Sequence, residues 1–271
     1  MIKILTGFSD VGGSTNAFIN LTNALNNAGY NAILMGQHPY PQNKCNFELI
    51  TGKINYKNRD KVICHFPPNL KGYVKTKRAD CKLCIFSCHE TDMFSFKNIN
   101  YEVFDKIVFA SPLQKSYHNI SHKSQHVIPN FLSKLLPNKK CSESVAGIIG
   151  SIDRNKQTHI SIKRALEDGF KSVLIYGAIT DQSYYLESVK ELIDGSVVVY
   201  KGVEQDKQKM YDSITDCYLS SINEVLPTVI GECRLTGTNF HGIEGKEYLK
   251  QEFVFSDDYI LNQWRKVLEL Q

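Results

Sequence analysis

The sequence predicts an α/β protein of two doubly wound domains, each a parallel sheet with helices on both faces. Three observations carry this. The chain has 271 residues, too long for one ordinary domain and suited to two of roughly 100–200 residues each. Short apolar runs alternate with helical patterns, which implies parallel strands joined by crossover helices. The alternation stops once, at a polar break, and then restarts.

The first half opens on the strand-like run Ile2–Leu5. Gly12-Gly13 follows, with Ser14 as the expected N-cap. Ala17, Phe18, Leu21, Ala24, Leu25 and Ala28 then recur at the spacing of one helical face, and Gly29 ends the helix. Ala32–Met35, Val62–Cys64, Leu83–Ser87, Lys106–Ala110 and Val127–Ile128 read as further strands. Pro129-Asn130 and Pro137-Asn138-Lys139-Lys140 form the break. It divides the chain into expected domains at 1–138 and 139–271.

The second half repeats the plan. Val145–Ile149, Val173–Tyr176, Val197–Tyr200 and Cys217–Ser220 read as strands. Helices are expected around Ile160–Leu166, at Tyr185–Ile193 and at Lys207–Ile214. A last helix, Asp258–Leu268 with Trp264, packs on the second domain or crosses back to the first.

Composition excludes several classes. Apolar residues make up 42% and charged residues 22% of the chain, an ordinary globular balance. Apolar stretches are far shorter than the roughly 20 residues that cross a bilayer. Met1-Ile2-Lys3-Ile4-Leu5 runs straight into a domain-like pattern with no secretory leader. Eight scattered cysteines suit a reducing, cytoplasmic setting with buried thiols. Cys81-Lys-Leu-Cys84 with Cys88-His89 lacks the second pair that a zinc site needs, and reads as strand. Residues 1–140 carry a balance of +10 and residues 141–271 one of −6. The densest basic cluster is Lys71, Lys75, Lys77 and Arg78. It suits an anionic acceptor or an anionic membrane surface, or plain solubility. Nothing suggests nucleic acid as a partner.

The stretch richest in chemistry runs from Ser220 to Gly237. Glu224 and Glu232 are separated by seven residues just after a strand, and Pro227 suits a first helical turn. Pro227 and Thr228 therefore open a helix whose unpaired N–H groups and partial positive charge can seat a pyrophosphate. The two carboxylates can accept hydrogen bonds from sugar hydroxyls on either side of it.

This stretch resembles the Glu-x7-Glu signature of retaining GT-B glycosyltransferases of the family-four type. Glu232 through Gly237 keeps the Glu-x4-Gly spacing of that group. Gly150-Ser-Ile-Asp-Arg154-Asn-Lys156 resembles its Gly-Arg-Leu-x-x-x-Lys-Gly segment. Gly12-Gly13 resembles the loop over the donor phosphates, and His89-Glu-Thr-Asp92 the histidine near the transferred sugar. Val127-Ile-Pro-Asn130 resembles the lead into the linker, and Tyr200-Lys-Gly202-Val203 the strand end that reads the base. The motifs span Ile2 to Gly237 in the family's order. Ser220-Ser221 stand in place of Pro-Ser, the loop after Glu224 has no glycine, and Ser151 occupies the usual arginine position.

The resemblance implies a GT-B fold, two Rossmann-like domains facing across a cleft, and a hexosyltransferase acting with retention. Lys156 and Arg154 are assigned to the diphosphate, Glu232 to the ribose diol, Glu224 to the donor hexose and His89 to the sugar–acceptor neighbourhood. Gly12, Gly13, Pro227, Thr228 and Gly202 complete the expected donor contacts. The donor is a UDP- or GDP-sugar, a substrate and not a cofactor. The acceptor is a glycan, a lipid-linked sugar or a protein. No Asp-x-Asp triplet occurs, so metal-independent transfer is expected. The competing readings are a degenerate, non-catalytic nucleotide-sugar-binding subunit and a nucleotide-sugar epimerase. The implied location is the cytoplasm, at its boundary the inner face of a membrane.

Overall fold

A computed structural model describes residues 1–6, 12–51, 54, 57–65, 81–89, 100–118, 120–138 and 143–271. The basic cluster at Lys71–Arg78, the Glu90–Asp92 segment, and Cys141 lie outside the described residues. The chain forms two compact units. One comprises 1–132 together with 251–271, the other 133–250. This division falls six residues before the expected one, and it returns the C-terminal segment to the first unit.

Among the described residues, the first unit holds seven strands: β1 (Ile2–Leu5), β2 (Ala32–Gly36), β3 (Phe47–Leu49), β4 (Lys61–Cys64), β5 (Leu83–Cys88), β6 (Lys106–Phe109) and β7 (Gln125–Val127). They pair in the order β3-β2-β1-β4-β5-β6-β7, all parallel. Strand side chains alternate between faces, and the core divides accordingly. Ile2, Ile4, Ile63, Ile85 and Val108 pack on one face with Phe18, Leu21 and Leu25 of helix α1 (Gly13–Asn27). Leu5, Val62, Cys64, Phe86, Cys88, Ile107 and Phe109 pack on the other. Helix α2 (Pro112–His118) follows β6. Helix α1 begins at Gly13, with Gly12 in the cap position, so Ser14 is helical. Gly12 accepts at its carbonyl from Asn16 Nδ2 at 3.1 Å, a bond that fixes this turn without a hydroxyl cap.

The second unit holds β8 (Ala146–Ile149), β9 (Val173–Tyr176), β10 (Val198–Gly202), β11 (Asp216–Tyr218) and β12 (Asn239–His241), in the parallel order β10-β9-β8-β11-β12. Its helices are α3 (Thr158–Glu167), α4 (Gln182–Tyr184), α5 (Lys207–Asp212) and α6 (Thr228–Thr236). The segment read as a helix at 185–193 continues α4 as a π turn, Tyr185–Val189, and then a 3₁₀ turn, Lys190–Leu192.

The last helix, α7 (Asp257–Val267), starts with Ser256 Oγ accepting from the Tyr259 N–H at 3.2 Å. Asp257 and Asp258 sit in its first turn and Arg265 and Lys266 in its last, as the helix dipole favours. Its apolar stripe, Ile260, Trp264 and Val267, enters the first unit's core. Lys106 Nζ donates to the Val267 carbonyl at 2.7 Å, and Lys61 Nζ to the Glu269 carbonyl at 2.7 Å. These lysines satisfy carbonyls that the helix end leaves unpaired. Among the described residues, no helix is long and apolar enough to cross a membrane.

Candidate functional site in the second unit

In the second sheet the strand order reverses between β8 and β11. The chain leaves β8 toward β9 on one side and leaves β11 toward β12 on the other. Open α/β sheets bind ligands at such a switch point, outside the carboxyl ends of the strands. The loops that leave these two strands, 150–157 and 219–227, carry Lys156 and Glu224.

Asp153 organises the first loop. Its Oδ1 accepts from the Lys156 N–H at 2.8 Å, and its Oδ2 from Ser151 Oγ at 2.5 Å. Gln157 takes the left-handed conformation at φ 51°, an uncommon state for a non-glycine residue, immediately before α3. Lys156 Nζ then reaches Glu224 Oε1 in the second loop. The same oxygen accepts from Ser221 Oγ at 2.6 Å. The Glu224 side chain is 12% exposed and that of Lys156 26%. Tyr248 donates to the Ser221 carbonyl at 2.8 Å; burial and then the nearby Glu224 push its hydroxyl pKa up to about 12.

Pro227 caps α6 with φ −69°, and its carbonyl accepts from the Ile230 N–H at 3.0 Å. Thr228 is the first helical residue. Glu232 lies in the next turn and is buried, its side chain 3% exposed. Its Oε1 accepts from Lys207 Nζ and from Ser133 Oγ at 3.1 Å, and its Oε2 from the Tyr211 hydroxyl at 2.9 Å. Burial, followed by the Glu232 charge, holds the Tyr211 pKa well above its ordinary value. Both carboxylate oxygens expected for a ribose are thus engaged within the protein, and the Lys207 side chain is 32% exposed.

No protein-family model matches this chain, and no curated protein matches it by sequence. Solved structures do match. HepE of Anabaena, solved with UDP-glucose, is 14% identical, with 93% of this chain and 83% of that one aligned at a TM-score of 0.67. Sucrose-phosphate synthase of Thermosynechococcus elongatus is 16% identical over 89% and 81%, also at 0.67. WaaG, a glycosyltransferase involved in lipopolysaccharide biosynthesis, is 12% identical over 99% and 90%, at 0.63. The chain has the GT-B fold.

Within that fold, Arg154 is committed away from the Lys156–Glu224 pair. Its Nε lies 3.3 Å from Asp181 Oδ2 and its Nη2 2.8 Å from Glu187 Oε2. Gly202 ends β10 at φ 72°, and its carbonyl accepts from the Gly177 N–H at 2.8 Å. Gly12, Gly13 and His89 belong to the first unit. There the His89 ring meets Phe18 and His65 edge-on, with ring centres 4.6 and 5.2 Å apart. Nothing in the sequence alone marks Lys207, Tyr211, Ser133 or Asn155. Their partners are 25, 21, 99 and 68 residues away, and no local spacing reports such pairings.

Burial, followed by the neighbouring His65, holds the His89 pKa well below its ordinary 6.5. Folding therefore favours the neutral ring. Its contribution to stability is complete above pH 6.5 and is lost as pH falls from there toward the folded value. His126 and His159 shift the same way. The thermal midpoint, measured across a pH series, should drop as pH is lowered below 6.5, and His89→Gln should show a shallower slope. An identical slope in that variant would place the acid sensitivity elsewhere.

Proposed function

We propose that this protein is a glycosyltransferase moving a hexose-type sugar from a nucleoside-diphosphate sugar, with UDP or GDP as carrier, to a glycan, lipid-linked or protein acceptor. The observation that carries the reading is the Lys156–Glu224 pair at the switch point of a GT-B fold, beside the start of α6. It supplies a cation for a leaving diphosphate and a carboxylate for sugar hydroxyls. That HepE is solved with UDP-glucose supports a nucleotide-sugar donor.

Transfer proceeds with retention. The bond from the anomeric carbon to the β-phosphate oxygen breaks as the acceptor oxygen bonds to the same face. The leaving phosphate oxygen takes the acceptor proton, so no strong protein base is required. The protein positions the reactants and stabilises the charge gathering on the diphosphate. Lys156 holds the diphosphate at the N-terminus of α6, where Pro227 and Thr228 lie. Glu224 reads the hexose. Glu232 serves the ribose, with Lys207 the half-buried lysine of its network. Gly202 is assigned to the base, Gly12 and Gly13 to the phosphates, and His89 to the acceptor.

A second reading, a nucleotide-sugar-binding subunit without turnover, is favoured by Ser151 in the usual arginine position and by the engagement of Arg154 with Asp181 and Glu187. Calorimetric titration of UDP, GDP and their hexose conjugates, followed by turnover in excess EDTA, tests both. One carrier should bind, and sugar release to an acceptor should persist in EDTA. Turnover lost in EDTA and restored by magnesium or manganese removes only the metal independence, whereas binding without turnover even with added metal selects the second reading. Failure of every carrier to bind removes both.

A further inference from the structure

One side chain joins the loop of Lys156 to the loop of Glu224. Asn155 Nδ2 donates to the Asn223 carbonyl at 3.0 Å, and Asn155 Oδ1 accepts from the Asn223 N–H at 3.1 Å. The carbonyl of Asn155 itself accepts from the Ile222 N–H at 2.8 Å. Only one orientation of the amide meets both demands, a donor to the carbonyl and an acceptor for the N–H. The side chain thus makes with a backbone the reciprocal pairing that two strands make with each other.

Its place gives that pairing a consequence. β8 and β11 pair only at Ala146 with Asp216 and Gly147 with Cys217. The Asn155–Asn223 pairing ties the chain together again beyond this short ladder, at the switch point. The residues next in sequence are Lys156 and Glu224, the two that meet. The loop 221–227, Ser-Ile-Asn-Glu-Val-Leu-Pro, has no glycine and is held from outside by this amide. Asp153 holds the Lys156 loop separately, through the Lys156 N–H.

We infer that Asn155 is a positioning residue that sets the spacing of Lys156 and Glu224, so that one donor molecule engages both, its diphosphate at the lysine and its hexose at the glutamate. The inference rests on the function proposed above. Asn155→Asp removes the donor and sets a carboxylate against the Asn223 carbonyl, while Asn155→Ala removes both bonds. Neither touches the hydrogen bond between Asp153 and the Lys156 N–H.

The test titrates the preferred carrier, UDP or GDP, and its hexose conjugate into the wild type and both variants. In each variant, affinity for the bare carrier should stay within about threefold, while the extra affinity contributed by the hexose disappears. Turnover should show the donor KM raised by about the factor that the lost hexose increment represents, and kcat reduced roughly tenfold or more, because the misplaced hexose is held poorly both in the complex and in the transition state. A variant that keeps both the hexose increment and kcat overturns the inference. So does an equal loss of affinity for carrier and conjugate, which marks general loosening of the unit. If the wild type binds no carrier, the proposed function itself fails, a result separate from either.

Discussion

Glu224→Gln should fold as the wild type does and lose most transfer activity, roughly 30- to 1,000-fold in kcat/KM, the scale of removing one preorganised electrostatic interaction. Glutamine keeps the volume and can still accept from Ser221 Oγ, now 2.6 Å from Glu224 Oε1. What disappears is the negative charge facing Lys156. The two ligands of the proposed site then respond in opposite directions. The hexose loses a charged acceptor for its hydroxyls, and such bonds are stronger than neutral ones. The diphosphate gains a lysine that no carboxylate competes for, so bare UDP or GDP should bind the variant at least as well as the wild type. Steady-state kinetics, calorimetry and a thermal midpoint on the same preparations separate these effects. Near-wild-type kcat/KM in a folded Glu224→Gln protein contradicts the assignment. Reduced affinity for the bare carrier contradicts the competition between Glu224 and the diphosphate for Lys156.

The strands of both sheets are legible in the sequence where burial on both faces produces continuous apolar runs, as in Val62–Cys64 and Val173–Tyr176. The edge strands β3 and β12 are not. Phe47-Glu-Leu49 and Asn239-Phe-His241 are three residues long and partly exposed, so no apolar run marks them. The turn at Tyr185–Val189 has helical composition, and nothing in its spacing distinguishes a π turn from an α-helix. At the site, Lys156 and Glu224 stand out because each follows a strand end at a telling distance. Their meeting is a product of topology: they are 68 residues apart in the chain, and the pairing of β8 with β11 brings their loops side by side. The surroundings of Glu232 are hidden for the same reason. Its charge is answered by Lys207 from another helix and by Ser133 from the start of the second unit. Arg154, a cation at an inviting position, is drawn away by Asp181 and Glu187, acids that the motif does not include.

Gly177→Ala should destabilise the second unit severely, by about 4 kcal/mol or more, the range reached by changes that the surrounding structure cannot absorb. Gly177 follows β9 at φ 150°, a region that side chains rarely enter. A Cβ built there would overlap the Gly150 carbonyl oxygen and lie 2.6 Å from its carbon. Both atoms are backbone, so no rotamer change relieves the clash. Moving Gly150 strains its N–H bond to the Tyr176 carbonyl at 2.9 Å, and moving Gly177 strains its N–H bond to the Gly202 carbonyl at 2.8 Å. The disturbance therefore reaches the ends of β8, β9 and β10 together, and the loop of Lys156 begins at the residue displaced. Gly169→Ala is the control. Gly169 also has positive φ, at 90°, but nothing lies within 4 Å of the added carbon. That variant should lose only the conformational cost of the left-handed region, about 1–2 kcal/mol. Urea unfolding of the two variants reads the difference directly. Soluble Gly169→Ala beside insoluble Gly177→Ala is the same outcome at its limit. Equal midpoints would show that the strand ends yield to a methyl group, and that the close approach of Gly150 and Gly177 does not hold the loop in place.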